Sequence, residues 1–86
     1  MSAPDETAVT VRYWASARAA AGVAEERTAA GPLDEVLGRL GERHGERLRR
    51  VFGYCSYLLD GTQVRDRSTP VPPGSVVEVL PPFAGG

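Results

Sequence analysis

Lysine is absent from this chain of 86 residues, and all ten of its basic residues are arginines. Eleven acidic residues give a formal net charge of −1, which argues against long-range attraction to nucleic acid or to anionic lipid. No apolar run approaches the roughly 18 residues of a membrane-spanning helix, and the polar residues 1–7 contain no signal-peptide core. We therefore expect a cytoplasmic protein that binds neither nucleic acid nor membrane.

Cysteine and histidine occur once each, as Cys55 and His44. A single cysteine cannot form an internal disulfide and suits a reducing compartment. The two residues lie on different predicted elements and provide neither a metal-ligand cluster nor a nucleophile–base pair. We expect His44 to be a solvated or dipole-satisfying residue at a helix end and Cys55 to be a small buried residue in a strand. No metal, no cofactor and no autonomous enzyme active site is expected.

The first third of the chain predicts a strand, a helical turn and a second strand. From residue 7 apolar and polar residues alternate with the period of a strand. The face predicted to point inward carries Val9, Val11 and Tyr13. The opposite face ends at Trp14. Residues 16–21 are rich in alanine and predict a short helical turn that ends at Gly22. Residues 23–29 then predict a weaker strand that pairs with the first.

The middle of the chain predicts one main amphipathic helix. Four apolar residues repeat at i, i+3, i+4 and i+7 and form one stripe. They are Leu33, Val36, Leu37 and Leu40. Asp34 and Glu35 in the first turn complement the helix dipole. Gly45 is the predicted end, and residues 46–50 predict a further turn.

The last third of the chain predicts three strands. Residues 54–59 and 62–64 form a hairpin across a tight Asp-Gly turn. Residues 65–73 contain three prolines and are predicted to be an irregular connection. Residues 76–80 alternate as a final strand, which two prolines must end because they cannot donate ladder hydrogen bonds.

This element order predicts a two-layer α+β fold in which the helix stripe packs on the inward residues of the first and last strands. The arrangement is a β-grasp, or ubiquitin-like, fold with a mixed sheet of four to five strands on one main helix. We expect the domain to span residues 7–80, between a flexible leader at 1–6 and an extended tail at 81–86.

The tail reads Pro81-Pro82-Phe83-Ala84-Gly85-Gly86. The prolines favour an extended exit from the sheet, and Phe83 is an aromatic anchor for a partner. Fully extended, the six residues of the tail reach roughly 20 Å. The three residues after Phe83 have almost no side chain. Such a tail can deliver the carboxylate of Gly86 into a narrow channel. A carboxylate resists nucleophilic attack, so it must first be activated, for example by adenylation, before a sulfur donor can convert it to a thiocarboxylate.

The sequence resembles the ThiS/MoaD family of ubiquitin-like sulfur carriers over residues 9–86. The matching segments are VRYWA at 11–15 with Arg18 and Gly22, LDEVL at 33–37, LDG at 59–61 and PGSVVEVLPPFAGG at 73–86. The ending is more similar to the small, sulfur-carrying subunit of molybdopterin synthase than to the thiamin branch. Ser75 stands where an acidic residue is usual, and Phe83 stands where a smaller aliphatic residue is common.

The resemblance implies a set of partners and a site. A ubiquitin-activating-type enzyme would adenylate Gly86 using ATP, and a sulfur donor protein would supply the sulfur. The charged carrier would then dock on a pathway enzyme, such as the molybdopterin synthase large subunit, where a cyclic pyranopterin precursor would receive the sulfur. Ala84 and Gly85 keep the tail thin. The expected partner-binding residues are Trp14, Leu80, Pro81, Pro82 and Phe83.

Three functions stay open at this point. The first is a sulfur carrier, for molybdopterin or for cysteine, thiamin, tRNA thiolation or a secondary metabolite. The second is a covalent protein modifier whose Gly86 forms an isopeptide bond with a lysine of a target. The third is a β-grasp interaction module with an incidental tail.

Overall fold

The structure is a computed structural model that describes residues 7–82. In chain order its elements are β1 (Ala8–Tyr13), α1 (Ala15–Ala21), β2 (Glu25–Ala29), β3 (Gly31–Pro32), α2 (Leu33–His44), α3 (Glu46–Phe52), β4 (Ser56–Leu59), β5 (Thr62–Val64), β6 (Pro70–Val71) and β7 (Val76–Leu80). The predicted leader at 1–6 and the last four residues of the predicted tail lie outside the described range.

Five strands form one mixed sheet in the order β2-β1-β7-β4-β5. The central strands β1 and β7 run parallel, with Tyr13 opposite Val79. The neighbouring pairs β1–β2, β4–β7 and β4–β5 are antiparallel. A parallel central pair needs a long crossover, and the intervening chain with its helices supplies it.

The helices cover one face of this sheet. Side chains at alternate positions of the central strands are buried, whereas those between them are partly exposed. The predicted inward residues and the predicted helix stripe are all buried, which confirms both predictions. These buried residues are Val9, Val11, Tyr13, Val77 and Val79 in the sheet, and Leu33, Val36, Leu37 and Leu40 in α2.

Helix α2 begins and ends by different means. No side chain caps its first turn; instead the backbone N–H groups of Leu33 and Asp34 donate to carbonyls of the 65–69 segment, each at 2.9 Å. At the other end Gly45 has φ 100° and donates its N–H to the Gly41 carbonyl at 2.8 Å. The predicted end at Gly45 is therefore confirmed.

More of the chain is helical than the one main helix of the prediction. The turn predicted at 46–50 is the start of α3, which extends to Phe52 and buries Leu48 and Val51. Because α3 runs on, the strand predicted over 54–59 begins only at Ser56. The strand predicted over 23–29 likewise begins at Glu25.

The connection predicted to be irregular contains a short strand. Within residues 65–73, β6 pairs antiparallel with β3, so that Val71 lies opposite Gly31. Val71 is buried. The pairing holds β6 next to the start of α2, which follows β3 directly. Within residues 7–82 no helix is long and apolar enough to span a membrane.

Candidate functional site

The tail leaves the sheet beside the end of β1. Because β1 and β7 are parallel neighbours, their C-terminal ends lie side by side. The backbone N–H of Trp14 donates to the Val79 carbonyl at 3.2 Å, which fixes Trp14 next to the last residues of β7. The proposed tail residues Phe83, Ala84, Gly85 and Gly86 lie outside the described part of the chain.

The face of the sheet opposite the helices is open. It carries half-buried side chains of β4 and β7, among them Leu58, Val76, Glu78 and Leu80. Trp14 stands at its edge and is 48% exposed. An open face with several partly exposed apolar side chains is typical of a surface that binds another protein.

Four of the five predicted partner-binding residues lie in the described part of the chain, and they divide into two groups. Trp14 and Leu80 each follow a residue of the Tyr13–Val79 pair, so they lie next to each other at the end of the open face. Pro82 is exposed. Pro81 is buried within its own chain. Its ring therefore packs at the base of the tail in this structure, and the surface available to a partner there is that of the other three.

Cys55 is poorly suited to accept sulfur. It precedes β4 and is half-buried, so the prediction of a buried residue within a strand is wrong. Its thiol donates to the Val51 carbonyl at 3.1 Å. Burial raises the pKa of the Cys55 thiol to about 11, although Arg67 opposes the shift. Because the thiolate is the reactive form, the thiol stays protonated and inert near neutral pH.

His44 lies in the last turn of α2, as predicted, but its side chain is only 17% exposed and belongs to a polar cluster, so the solvated alternative is wrong. Its Nε2 lies 2.6 Å from Oε2 of Glu26, which also accepts a hydrogen bond from the Tyr13 hydroxyl at 2.5 Å. Oε1 of Glu26 accepts from Arg43 at 2.9 Å. The cluster arises because the end of α2 packs against β2, a contact between residues far apart in the sequence that no local pattern shows.

The Glu26 carboxylate is held in its charged form. Burial alone would raise its pKa, but the hydrogen bonds from Tyr13, Arg43 and His44 together outweigh burial and lower it. Burial, followed by the hydrogen bond to Glu26, raises the pKa of Tyr13, so its phenol stays a donor. With its oxygens occupied by three donors, Glu26 fastens α2 to β1 and β2. Among residues 7–82 no three acidic, histidine or cysteine side chains could together hold a metal ion.

Comparison with models of protein families shows which family the chain belongs to. The ThiS family profile matches residues 11–86, which is most of the chain and includes the tail. The chain belongs to the ThiS family. A search of curated sequences found no match to this ThiS-family protein.

Solved structures agree with that membership. A protein assigned as molybdopterin converting factor subunit 1 from Pyrococcus furiosus is 27% identical, with a TM-score of 0.77, over 90% of this chain and 99% of that one. In the complex of subunits 1 and 2 of molybdopterin-converting factor from Helicobacter pylori, one chain is 28% identical, with a TM-score of 0.71, over 92% of this chain and 99% of that one.

The small archaeal modifier protein 1 from Methanosarcina acetivorans shares the fold. It is 24% identical, with a TM-score of 0.82, over 93% of this chain and 97% of that one. The predicted β-grasp fold is thereby confirmed. This ThiS-family chain has the fold of both the ThiS/MoaD sulfur carriers and the archaeal ubiquitin-like modifiers.

Proposed function

We propose that this ThiS-family protein is a sulfur carrier whose working group is the carboxylate of Gly86. The observation that carries the proposal is the family match, which runs through the Gly-Gly ending. The state of Cys55 supports it, because a protonated, half-buried thiol with a raised pKa is a poor alternative acceptor of sulfur.

The proposed chemistry takes place in partner enzymes. A carboxylate oxygen of Gly86 attacks the α-phosphorus of ATP on a ubiquitin-activating-type enzyme, which releases pyrophosphate and leaves an acyl adenylate. The terminal sulfur of a persulfide on a donor protein then attacks the acyl carbon and expels AMP. This leaves an acyl disulfide between Gly86 and the donor protein. A thiol attacks the donor's sulfur, forms a disulfide with it and releases the thiocarboxylate of Gly86. Ala84 and Gly85 keep the acyl carbon open to each attack.

We further propose that the sulfur is used in molybdopterin synthesis, in the cytoplasm. The two molybdopterin converting factor chains above are 27% and 28% identical to this one over nearly its whole length. This protein would then dock on the molybdopterin synthase large subunit through the open sheet face around Trp14 and Leu80, with Phe83 and the tail inserted. A cyclic pyranopterin precursor bound to that subunit would receive the sulfur. The modifier function stays a second candidate, because the archaeal modifier has the same fold.

Variants of tail length test the proposal. Deleting Gly86, or adding a glycine after it, moves the carboxylate by about 3.3 Å, and a misplacement of about 1 Å can already cost on the order of a hundredfold in rate. We expect both changes to reduce ATP–pyrophosphate exchange with the activating enzyme by about a hundredfold or more. The Gly86→Val variant, which crowds the acyl carbon at constant length, should show a similar loss.

The control is a variant with one glycine added at the N-terminus, which should exchange at the wild-type rate. Unfolding free energies should change by less than about 0.5 kcal/mol in all variants, because the changes lie beyond residues 8–80, which contain the described strands and helices. A protein lacking Gly86 that supports exchange at the wild-type rate would contradict the proposal.

A further inference from the structure

A cleft of about 250 Å³ opens beside the point where the tail leaves the sheet. It lies between the end of β1, helix α1 and the start of β2. Its lining consists of Arg12, Tyr13, Trp14, Arg18, Ala24 and Glu25. The cleft combines a nearly half-exposed indole with two guanidinium groups, which is a combination suited to another protein's acidic and apolar side chains.

The fold holds both walls of the cleft in place. The Trp14 carbonyl accepts hydrogen bonds from the backbone N–H groups of Ala17 and Arg18, at 3.0 and 3.3 Å, so Arg18 lies one helical turn beyond the indole. Gly22, with φ 79°, ends α1 and reverses the chain. The Tyr13 N–H then donates to the Ala24 carbonyl at 2.8 Å, which fixes the opposite wall.

The cleft has an excess of positive charge. Arg12 and Glu25 approach to 3.5 Å, but their side chains are 49% and 59% exposed, and such exposed pairs contribute little. Arg18 is exposed, and its side chain makes no hydrogen bond or ion pair within residues 7–82. Two cations therefore face one anion here, although the whole chain has a net charge of −1.

We propose that this cleft receives an acidic segment of the adenylating enzyme, with a carboxylate paired to Arg18 and an apolar side chain packed on Trp14. The inference rests on the proposed function and specifies its first partner. The hydrogen bond between Trp14 and Val79 places the cleft beside the tail, so an enzyme that surrounds the tail comes within reach of it. Activation precedes both sulfur transfer and protein modification, so the inference holds for either use of Gly86.

Charge reversal at Arg18 tests the inference. We expect Arg18→Glu to raise the KM for this protein in ATP–pyrophosphate exchange by about tenfold or more, because it sets like charges against each other in the complex. The kcat and the KM for ATP should stay within about twofold, because the tail and the nucleotide site are unchanged. Arg18→Gln should give an intermediate KM. The wild-type KM should rise with salt, and that of Arg18→Glu should depend on salt less steeply.

The matched control is Arg65→Glu, which changes the net charge equally. Arg65 is exposed and follows β5, the strand at the opposite edge of the sheet from the cleft. Its KM should stay within about twofold of wild type, and circular dichroism should show all variants folded. An unchanged KM for Arg18→Glu, an equal rise for Arg65→Glu, or a shift confined to the KM for ATP would overturn the inference alone. A wild-type protein that supports no exchange would overturn the proposed function and this inference with it.

Discussion

Replacing Glu26 by glutamine removes the charge that holds α2 to the sheet. The Glu26 side chain is only 13% exposed, so its hydrogen bonds are little screened by water. The pair with Arg43 adds little because the guanidinium is 46% exposed. The loss therefore comes mainly from the contacts with Tyr13 and His44. For charge-assisted hydrogen bonds in this setting we expect the free energy of unfolding to fall by about 1.5–3 kcal/mol at neutral pH.

The loss should depend on pH in a defined direction. The folded-state pKa of Glu26 is lowered, so its carboxylate contributes stability that is complete above the ordinary glutamate pKa of about 4.3. That contribution is lost as the pH falls through the lowered folded-state pKa. The difference in unfolding free energy between wild type and Glu26→Gln should therefore be largest at neutral pH and shrink below about pH 4.

Urea unfolding, followed by the fluorescence of the single tryptophan, measures this difference at several pH values. Glu25→Gln is the matched control, since its exposed carboxylate makes only a 3.5 Å contact with Arg12, and it should change stability by less than about 0.5 kcal/mol. A Glu26→Gln protein as stable as the control, or a difference that does not shrink in acid, would refute this role of Glu26.

Three further predictions follow from single residues. Gly22 and Gly38 both have open space where a Cβ would be, but of the two only Gly22 has a positive φ, of 79°. Gly22→Ala should therefore lower the unfolding free energy by about 1 kcal/mol. Gly38→Ala, within α2, should raise it by up to about 1 kcal/mol. Native Cys55 should react with iodoacetamide at pH 8 on the order of a hundredfold more slowly than in urea, and equal rates would contradict its raised pKa. Trp14→Ala should weaken binding to the pathway enzyme proposed to dock on the open sheet face, by about 1–4 kcal/mol in calorimetric titration. An unchanged affinity would mean that this enzyme docks on another surface.

Much of the fold could be predicted because its signals are local. The two-residue alternation around Val11 and Val77 and the helical spacing from Leu33 to Leu40 each identify a buried face within one element. Gly45 ends α2 through its own backbone. The exposure of Trp14 follows from the same alternation.

Other features depend on contacts between distant residues. His44 and Glu26 are 18 positions apart and meet only once α2 is packed on β2. The first turn of α2 relies on carbonyls of the 65–69 segment, so no capping residue indicates its start. The cleft around Arg18 likewise exists because Gly22 turns the chain back toward Tyr13, and nothing in the local sequence shows which side chains then line it.

The state of Gly86 after activation tests the central claim most directly. The purified protein is incubated with its activating enzyme, ATP, a persulfide donor and a thiol, and its intact mass and fragment masses are then measured. We predict a gain equal to the replacement of one oxygen by one sulfur, confined to the C-terminal fragment that contains Gly86, and the same gain in a Cys55→Ala protein. Sulfur found on Cys55, or a tail that gains no sulfur although ATP is consumed, would contradict the account.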